Sequence, residues 1–167
     1  MTTATLTFRN DPELLRQLVV FHEELVASLK EFLDPSAFIT QMFTQPFPSS
    51  MAAAGPKRGG NVLGLDREQG NLVLWVWGVG VAADQPESTF ARAHGLLLAR
   101  TAEAKATAAA RGLAVDLVYA NYADASQDVL GSYGEENVAL LRAVSSRYDP
   151  AGVFQRRVPG GFKVSRV

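Results

Sequence analysis

A chain of 167 residues without cysteine is long enough to bury one core without staples, and it can hold neither a disulfide framework nor a thiol nucleophile. Its 47% apolar and 20% charged residues are those of an ordinary globule, and no stretch approaches the roughly 20 apolar residues of a membrane span. A net charge of −1 with no basic cluster argues against nucleic acid and against an anionic membrane surface as partners.

Thr3 to Arg9 alternates, with Ala4, Leu6 and Phe8 on one side and Thr3, Thr5 and Thr7 on the other, and reads as a half-buried strand. Asn10-Asp11-Pro12 starts a helix, with Asp11 as cap and Pro12 at the first helical position. Leu14, Leu18, Phe21, Leu25, Leu29 and Phe32 form its apolar stripe as far as Asp34-Pro35, with His22 bordering the packed face. Ala37 to Phe47 reads as a second strand, apolar enough on both faces to expect cover on both. Ser49 to Gly64 reads as a loop with one helical turn at Met51–Ala54, followed by a short strand over Asn61–Leu65.

Leu72 to Val81 is the strongest strand of the chain. Its end, Gly78-Val79-Gly80-Val81-Ala82-Ala83, imitates a dinucleotide fingerprint, but the first glycine falls inside the strand pattern instead of a strand–helix turn. Small residues in a strand more often mark close backbone approach. Pro86 to Arg111 is an alanine-rich helix closed by Gly112, and His94 on it reads as structural. A further strand over Val115–Tyr122 is broken by Asp124, Ala125 and Ser126. A last helix, Gly134 to Tyr148, carries Val138, Leu141, Val144 and Tyr148 at helical spacing and stops at Asp149-Pro150. The order strand, helix, strand, strand, helix, strand predicts an α+β, ferredoxin-like (dimeric α/β-barrel-like) antiparallel sheet with the helices on one face, plus an extra C-terminal helix. Residues 1–167 are expected to form a single domain, with 123–167 a C-terminal extension of helix and tail.

If the helices cover the Leu6/Leu74 side, the opposite face carries Thr5, Thr7, Trp75 and Trp77. Joining them is either Gln41, Phe43 and Gln45 or Thr40, Met42 and Thr44, together with Tyr119 and Asn121 or else Tyr122. Two tryptophans on an open face mark a ligand or partner surface. The other reading is that the C-terminal helix and tail cover this face as a second core. No metal constellation and no recognisable serine, histidine and acid spacing is present.

Several pieces in order, Tyr119-Ala120-Asn121-Tyr122-Ala123-Asp124, Ser132-Tyr133-Gly134-Glu135-Glu136-Asn137, Tyr148-Asp149-Pro150 with Val153-Phe154-Gln155, and Pro159-Gly160-Gly161-Phe162-Lys163, resemble the C-terminal end of the FAD-linked oxidoreductases of the berberine bridge enzyme type. The likeness is greatest to the fungal secondary-metabolism branch and runs back through Gly60-Asn61-Val62-Leu63-Gly64-Leu65-Asp66. It covers only that family's substrate-binding half, without the FAD-binding domain. That family often tethers FAD through a histidine in a glycine-containing motif, whereas His22 and His94 lie inside predicted helices. The expectation is therefore no bound cofactor.

The resemblance implies that Tyr119, Asn121 and Tyr122 approach flavin and substrate and are the catalytic candidates. It implies a substrate cavity on the sheet face, where Trp75, Trp77, Gln45, Phe43 and Thr5 are the substrate-binding candidates. Gln45-Pro46-Phe47 stands where some members carry a catalytic glutamate, and glutamine cannot take that proton. The implied function is a flavin-free, stand-alone relative that binds an apolar or aromatic, polyketide-like metabolite and promotes its cyclisation or isomerisation. The alternatives are an FAD-dependent oxidoreductase component acting with a separate flavin-binding subunit, or a non-catalytic binding protein. A homodimer through sheet face or edge is expected, and the start of the chain, with no secretory pattern and no Asn-x-Ser/Thr sequon, points to the cytoplasm.

Overall fold

Alternating threonines and apolar residues make β1 (Thr2–Arg9), and the turn after it is closed by Asp11, whose carboxylate accepts the Leu14 N–H at 2.7 Å and caps α1 (Pro12–Lys30). Such a cap is worth about 1 kcal/mol. The computed structural model describes all 167 residues. The remaining elements are β2 (Phe38–Phe47), α2 (Ser49–Ala54), β3 (Leu72–Val81), α3 (Glu87–Ala110), β4 (Ala114–Val115), α4 (Glu135–Tyr148) and α5 (Val153–Arg156). The four strands form one antiparallel sheet in the order β2-β3-β1-β4, the ferredoxin-like arrangement, with α1 and α3 on one face.

One expected strand is absent and another is cut short. Asn61–Leu65 is turn and a tight helical turn at Leu65–Arg67, and the strand expected over Val115–Tyr122 ends at Val115. Its β-branched and aromatic residues pack by side chain across the sheet instead of continuing the ladder. Strand β2 lies at the sheet's edge and is half covered at best, so the expected cover on both its faces is also corrected.

Directly opposed residues of antiparallel strands share a face. Leu6 opposes Trp75 and Ala4 opposes Trp77, so both indoles face α1 and α3 and are fully buried there with Phe8, Leu14, Leu25 and Leu97. The expectation that Leu6 and Leu74 share the helix-covered face is corrected: Leu74 opposes Thr7 and lies on the other side, so the β3 side chains are turned by one residue from the expected faces. Trp77 donates its indole N–H to Thr101 Oγ1 at 2.9 Å, and Thr101 passes its own hydrogen to the Leu97 carbonyl at 2.7 Å. Small residues at Ala93, Ala104 and Ala108 on α3 let the helix sit close against these rings.

The other face carries Thr5, Thr7, Leu72, Leu74 and Val76, and it is also a core. Phe47, Leu65, Val115, Leu117, Val129 and Tyr133 close over it. Most of that cover comes from the irregular segment after β4. From α4, Val138 is buried and Leu141 partly so, while Val144 and Tyr148 of the expected stripe are exposed. No helix is long and apolar enough to cross a membrane.

Candidate functional site

After Val115 the chain leaves the sheet and runs as a strap, Asp116 to Ala123, over the second face. Leu117 is buried, Val118 donates its N–H to Ser132 Oγ at 3.0 Å, and a turn brings the Tyr122 N–H to the Tyr119 carbonyl at 3.1 Å. The turn sets Tyr119 and Tyr122 beside each other, ring centroids 5.6 Å apart. Tyr122 meets Phe43 edge-on at 5.4 Å, and Tyr119 meets Phe47 edge-on at 5.8 Å. Gln45, opposite Leu74 in the register, is on the same face and half-buried. The strand-two set on this face is thus Gln41, Phe43 and Gln45, opposite Gly78, Val76 and Leu74, while Thr40, Met42 and Thr44 face the helices.

Asn121 is exposed and donates an amide hydrogen to the Tyr119 hydroxyl at 3.0 Å. A phenol that accepts from asparagine keeps its own hydrogen free, so Tyr119 is poised as a donor toward whatever lies on the face. Tyr133 is buried beneath the strap, where burial pushes its phenol above the usual tyrosine range, only partly countered by the Ala120 backbone. Of the expected site residues, Tyr119, Asn121, Tyr122, Phe43 and Gln45 are brought to one place. Thr5 lies on the same side of the sheet, but it is buried and its hydroxyl donates to the Trp75 carbonyl at 2.9 Å. Trp75 and Trp77 are on the opposite face, in the helix-side core, so their assignment as substrate-binding residues does not hold geometrically.

Asp124, expected only to break a strand, and Gln127, which no motif marks, fix the strap's far end. Gln127 Oε1 accepts the Thr5 N–H at 3.1 Å and its amide donates to the Thr5 carbonyl at 2.8 Å, so one side chain takes the place of a strand residue beside β1. It also accepts the Asp124 N–H at 3.0 Å. Asp124 is 8% exposed. Its carboxylate accepts from Ser126 N–H at 2.9 Å, Ser126 hydroxyl at 2.7 Å, Thr2 hydroxyl at 3.2 Å and His94 Nε2 at 2.7 Å. Burial works to raise its pKa, and the Ser126 backbone and hydroxyl with His94 outweigh it, holding the carboxyl below its usual range. The signal in the sequence was Asp124-Ala125-Ser126, a pattern in which the aspartate caps its own turn.

A cavity of about 550 Å³ opens between α3 and residues 116–134, lined among others by Thr101, Lys105, Asp116, Gln127, Asp128 and Ser132. None of Phe43, Tyr119, Asn121 and Tyr122 lines it, and Thr101, Gln127 and Ser132 spend their polar groups on the protein itself. The tyrosines therefore present a half-open surface, not a closed pocket.

Over 165 residues the chain is 33% identical to an FAD-dependent monooxygenase of Aspergillus calidoustus, matching 98% of this chain and 30% of that protein. An FAD-dependent monooxygenase of Cochliobolus heterostrophus is 36% identical over 163 residues, 96% of this chain and 31% of the relative. A bifunctional solanapyrone synthase of Alternaria solani is 32% identical over 123 residues, 74% of this chain and 23% of the synthase. The chain resembles one segment of fungal FAD-dependent monooxygenases. It spans about three-tenths of the length of the first two of these relatives. No family model and no solved structure matches it.

The FAD of those relatives finds no pyrophosphate cradle in the glycines of this sheet. Gly78 sits mid-strand, opposite Thr3 and Gln41, and a Cβ there would come within 2.8 Å of the Thr2 carbonyl oxygen. A Cβ on Gly80 would come within 3.0 Å of Ile39. These glycines admit neighbouring strands, and α3 starts only at Glu87. The one fingerprint-like stretch does not fit the group.

Proposed function

We propose that this chain supplies the substrate-side surface of a flavin-linked oxidoreductase of the berberine bridge enzyme type, with the flavin bound by another domain or subunit. The observation that carries the reading is the convergence of Phe43, Tyr119 and Tyr122, with Gln45 and Asn121 beside them, on one half-open face. Similarity along nearly the whole chain to one segment of FAD-dependent monooxygenases supports it. The rings form an apolar wall for a planar aromatic or polyene metabolite of the kind made in fungal secondary metabolism. The Tyr119 hydroxyl, oriented by Asn121, donates to a ligand carbonyl and stabilises negative charge that develops on its oxygen.

A second reading, ring closure or isomerisation without a flavin, is favoured by the character of the same groups. They are walls and donors, with glutamine at position 45 and no acid in the cluster to take a proton. Such a face suits a reaction that needs a folded substrate conformation more than proton removal. One of the relatives is a bifunctional synthase.

Titration calorimetry of the purified chain with a planar hydroxynaphthoquinone tests the common element of both readings. Binding that weakens about 10-fold in Phe43→Ala and Tyr122→Ala, at nearly unchanged melting temperature, is the expected result. No binding by the wild type, or wild-type affinity retained in both variants, overturns it. Product analysis with and without a flavin-reducing system then separates the two readings.

A further inference from the structure

The two edges of the sheet are treated differently. Along β1 the outward backbone groups of Thr5, Thr7 and Arg9 are taken: Thr7 pairs with Val115 of β4, Arg9 N–H bonds the Leu113 carbonyl at 2.8 Å, and the Gln127 amide occupies Thr5. At the other edge β2 pairs only with β3. The Ala82 N–H donates to the Ala37 carbonyl, which fixes the phase of the β2–β3 ladder. Odd-numbered residues from Ile39 to Phe47 turn their backbone groups toward β3, and Phe38, Thr40, Met42 and Thr44 turn theirs outward. Pro46 falls in the outward set, where the missing N–H costs the ladder nothing.

This bare edge is ten residues long and carries no charged side chain. Natural edges are usually blunted by lysine, by inward charge, by a bulge or by a covering element. Here Ile39 is 67% exposed and Phe43 38% exposed.

We infer that β2 is a docking edge for a second copy of this chain, joined by antiparallel β2–β2 pairing into a continuous eight-stranded sheet. An antiparallel edge is its own complement under a two-fold axis, so one set of free N–H and C=O groups satisfies its equivalent. The absence of charge removes the like-charge repulsion that would oppose self-pairing. Met42 is the middle of the five outward positions. Centring the axis there opposes Thr40 to the second copy's Thr44 and brings all five outward positions of each strand into the ladder, with only the Pro46 N–H missing at each end. That pairing also sets the second copy's Gln41 beside Phe43 and extends the aromatic face across the axis. The inference does not depend on what that face binds.

Sedimentation velocity on the full chain at micromolar concentration tests it. The wild type is expected at twice the 18.0 kDa chain mass. Thr44→Pro removes one outward N–H without touching the β3 ladder, at the kind of position Pro46 already occupies, and should return it to a monomer that still melts in one cooperative transition. Because the chain has no cysteine, Met42→Cys gives a clean trap. Directly opposed residues of a hydrogen-bonded pair lie about 5.5 Å apart, within disulfide reach, so oxidation should yield a covalent dimer. A monomeric wild type, a dimer indifferent to Thr44→Pro that fails to cross-link at position 42, or open fibrillar growth each overturns the inference. Should Thr44→Pro unfold the chain, Thr44→Lys, at an exposed side chain, replaces it and must also give a monomer.

Discussion

The two faces of this sheet are built from the same strands by different means. On one, α1 and α3 cover Trp75, Trp77 and their neighbours with regular elements whose apolar stripes run the length of each helix. On the other, a strap with almost no backbone ladder of its own, pinned by Gln127 and Asp124, lays Leu117, Tyr119 and Tyr122 over Leu74 and Val76. The helix face hides its aromatics completely. The strap face leaves its aromatics half-open, with a donor hydroxyl among them, and the proposed ligand surface rests on that difference.

The comparison is broken most severely by emptying the helix face. Trp77→Ala is expected to cost about 3–5 kcal/mol, a fall of roughly 6–20 °C in melting temperature for a chain of this size, because it opens a large cavity and strips Thr101 of its donor. Binding of an aromatic probe per folded molecule should not change. Next comes Gln127→Ala, which leaves both backbone groups of Thr5 without their partner and should cost about 1–3 kcal/mol. Here the diagnostic is where the chain loosens. Hydrogen exchange should rise over residues 117–123 and stay protected in α1; a rise spread evenly over the chain would mean that the strap has no separate anchor.

The helix face was legible because helices announce themselves: Asp11-Pro12 starts α1 and the Leu14 to Leu29 spacing says which of its residues turn inward, while the alanines of α3 give the helix but not its face, Ala104 and Ala108 being buried and Ala102 and Ala106 exposed. What the sequence could not reveal was the register. Trp75 and Leu74 are equally good inward residues of a buried strand, and only the pairing of Leu6 with Trp75 decides between them. Because β3 is apolar on both sides, alternation gave no warning of the slip. The strap was misread for a related reason: Val115 to Tyr122 has strand composition, yet composition reports burial, and here burial is achieved without a ladder. Tyr119, Asn121, Tyr122, Phe43 and Gln45 still came together, since the neighbouring residues on β2 and the tyrosine turn converge on one side of the sheet.

A subtler effect concerns pH. Asp124 has a folded pKa below its unfolded value of 3.8, so it contributes stability above that value and loses it as pH falls through the folded pKa. His22, half-buried beside Thr40 Oγ1 at 3.1 Å, is lowered mainly by burial from 6.5. The unfolded chain therefore takes up that proton first, and stability declines as pH drops below 6.5. Chemical denaturation from pH 7 to pH 3 should show two such declines. Asp124→Asn should flatten the acidic one and leave the His22 one in place; equal slopes in mutant and wild type below pH 4 would remove Asp124 from the account.

The smallest change in stability should accompany the largest question about function. Tyr119→Phe removes one hydroxyl that is only half-buried and is held by an exposed asparagine, so it should shift stability by no more than about 0.5 kcal/mol. If the phenol donates to developing charge on a bound ligand, turnover of the true substrate should fall about 10- to 1000-fold while binding of an aromatic probe is nearly kept. Asn121→Ala should reproduce part of that loss, because it frees the phenol to rotate and point its hydrogen elsewhere, and Asn121→Gln should not restore it fully, since the longer arm aims the amide differently. Phe43→Ala makes the opposite separation: probe binding weakens and the chemical step is spared, because a stacking wall contributes alike to ground state and transition state. The paired measurement, affinity and turnover on the same four proteins, therefore distinguishes a donor from a wall. If Tyr119→Phe and Phe43→Ala change the same quantity by the same factor, the strap face is a packed surface with no division of roles, and the chemistry lies outside it.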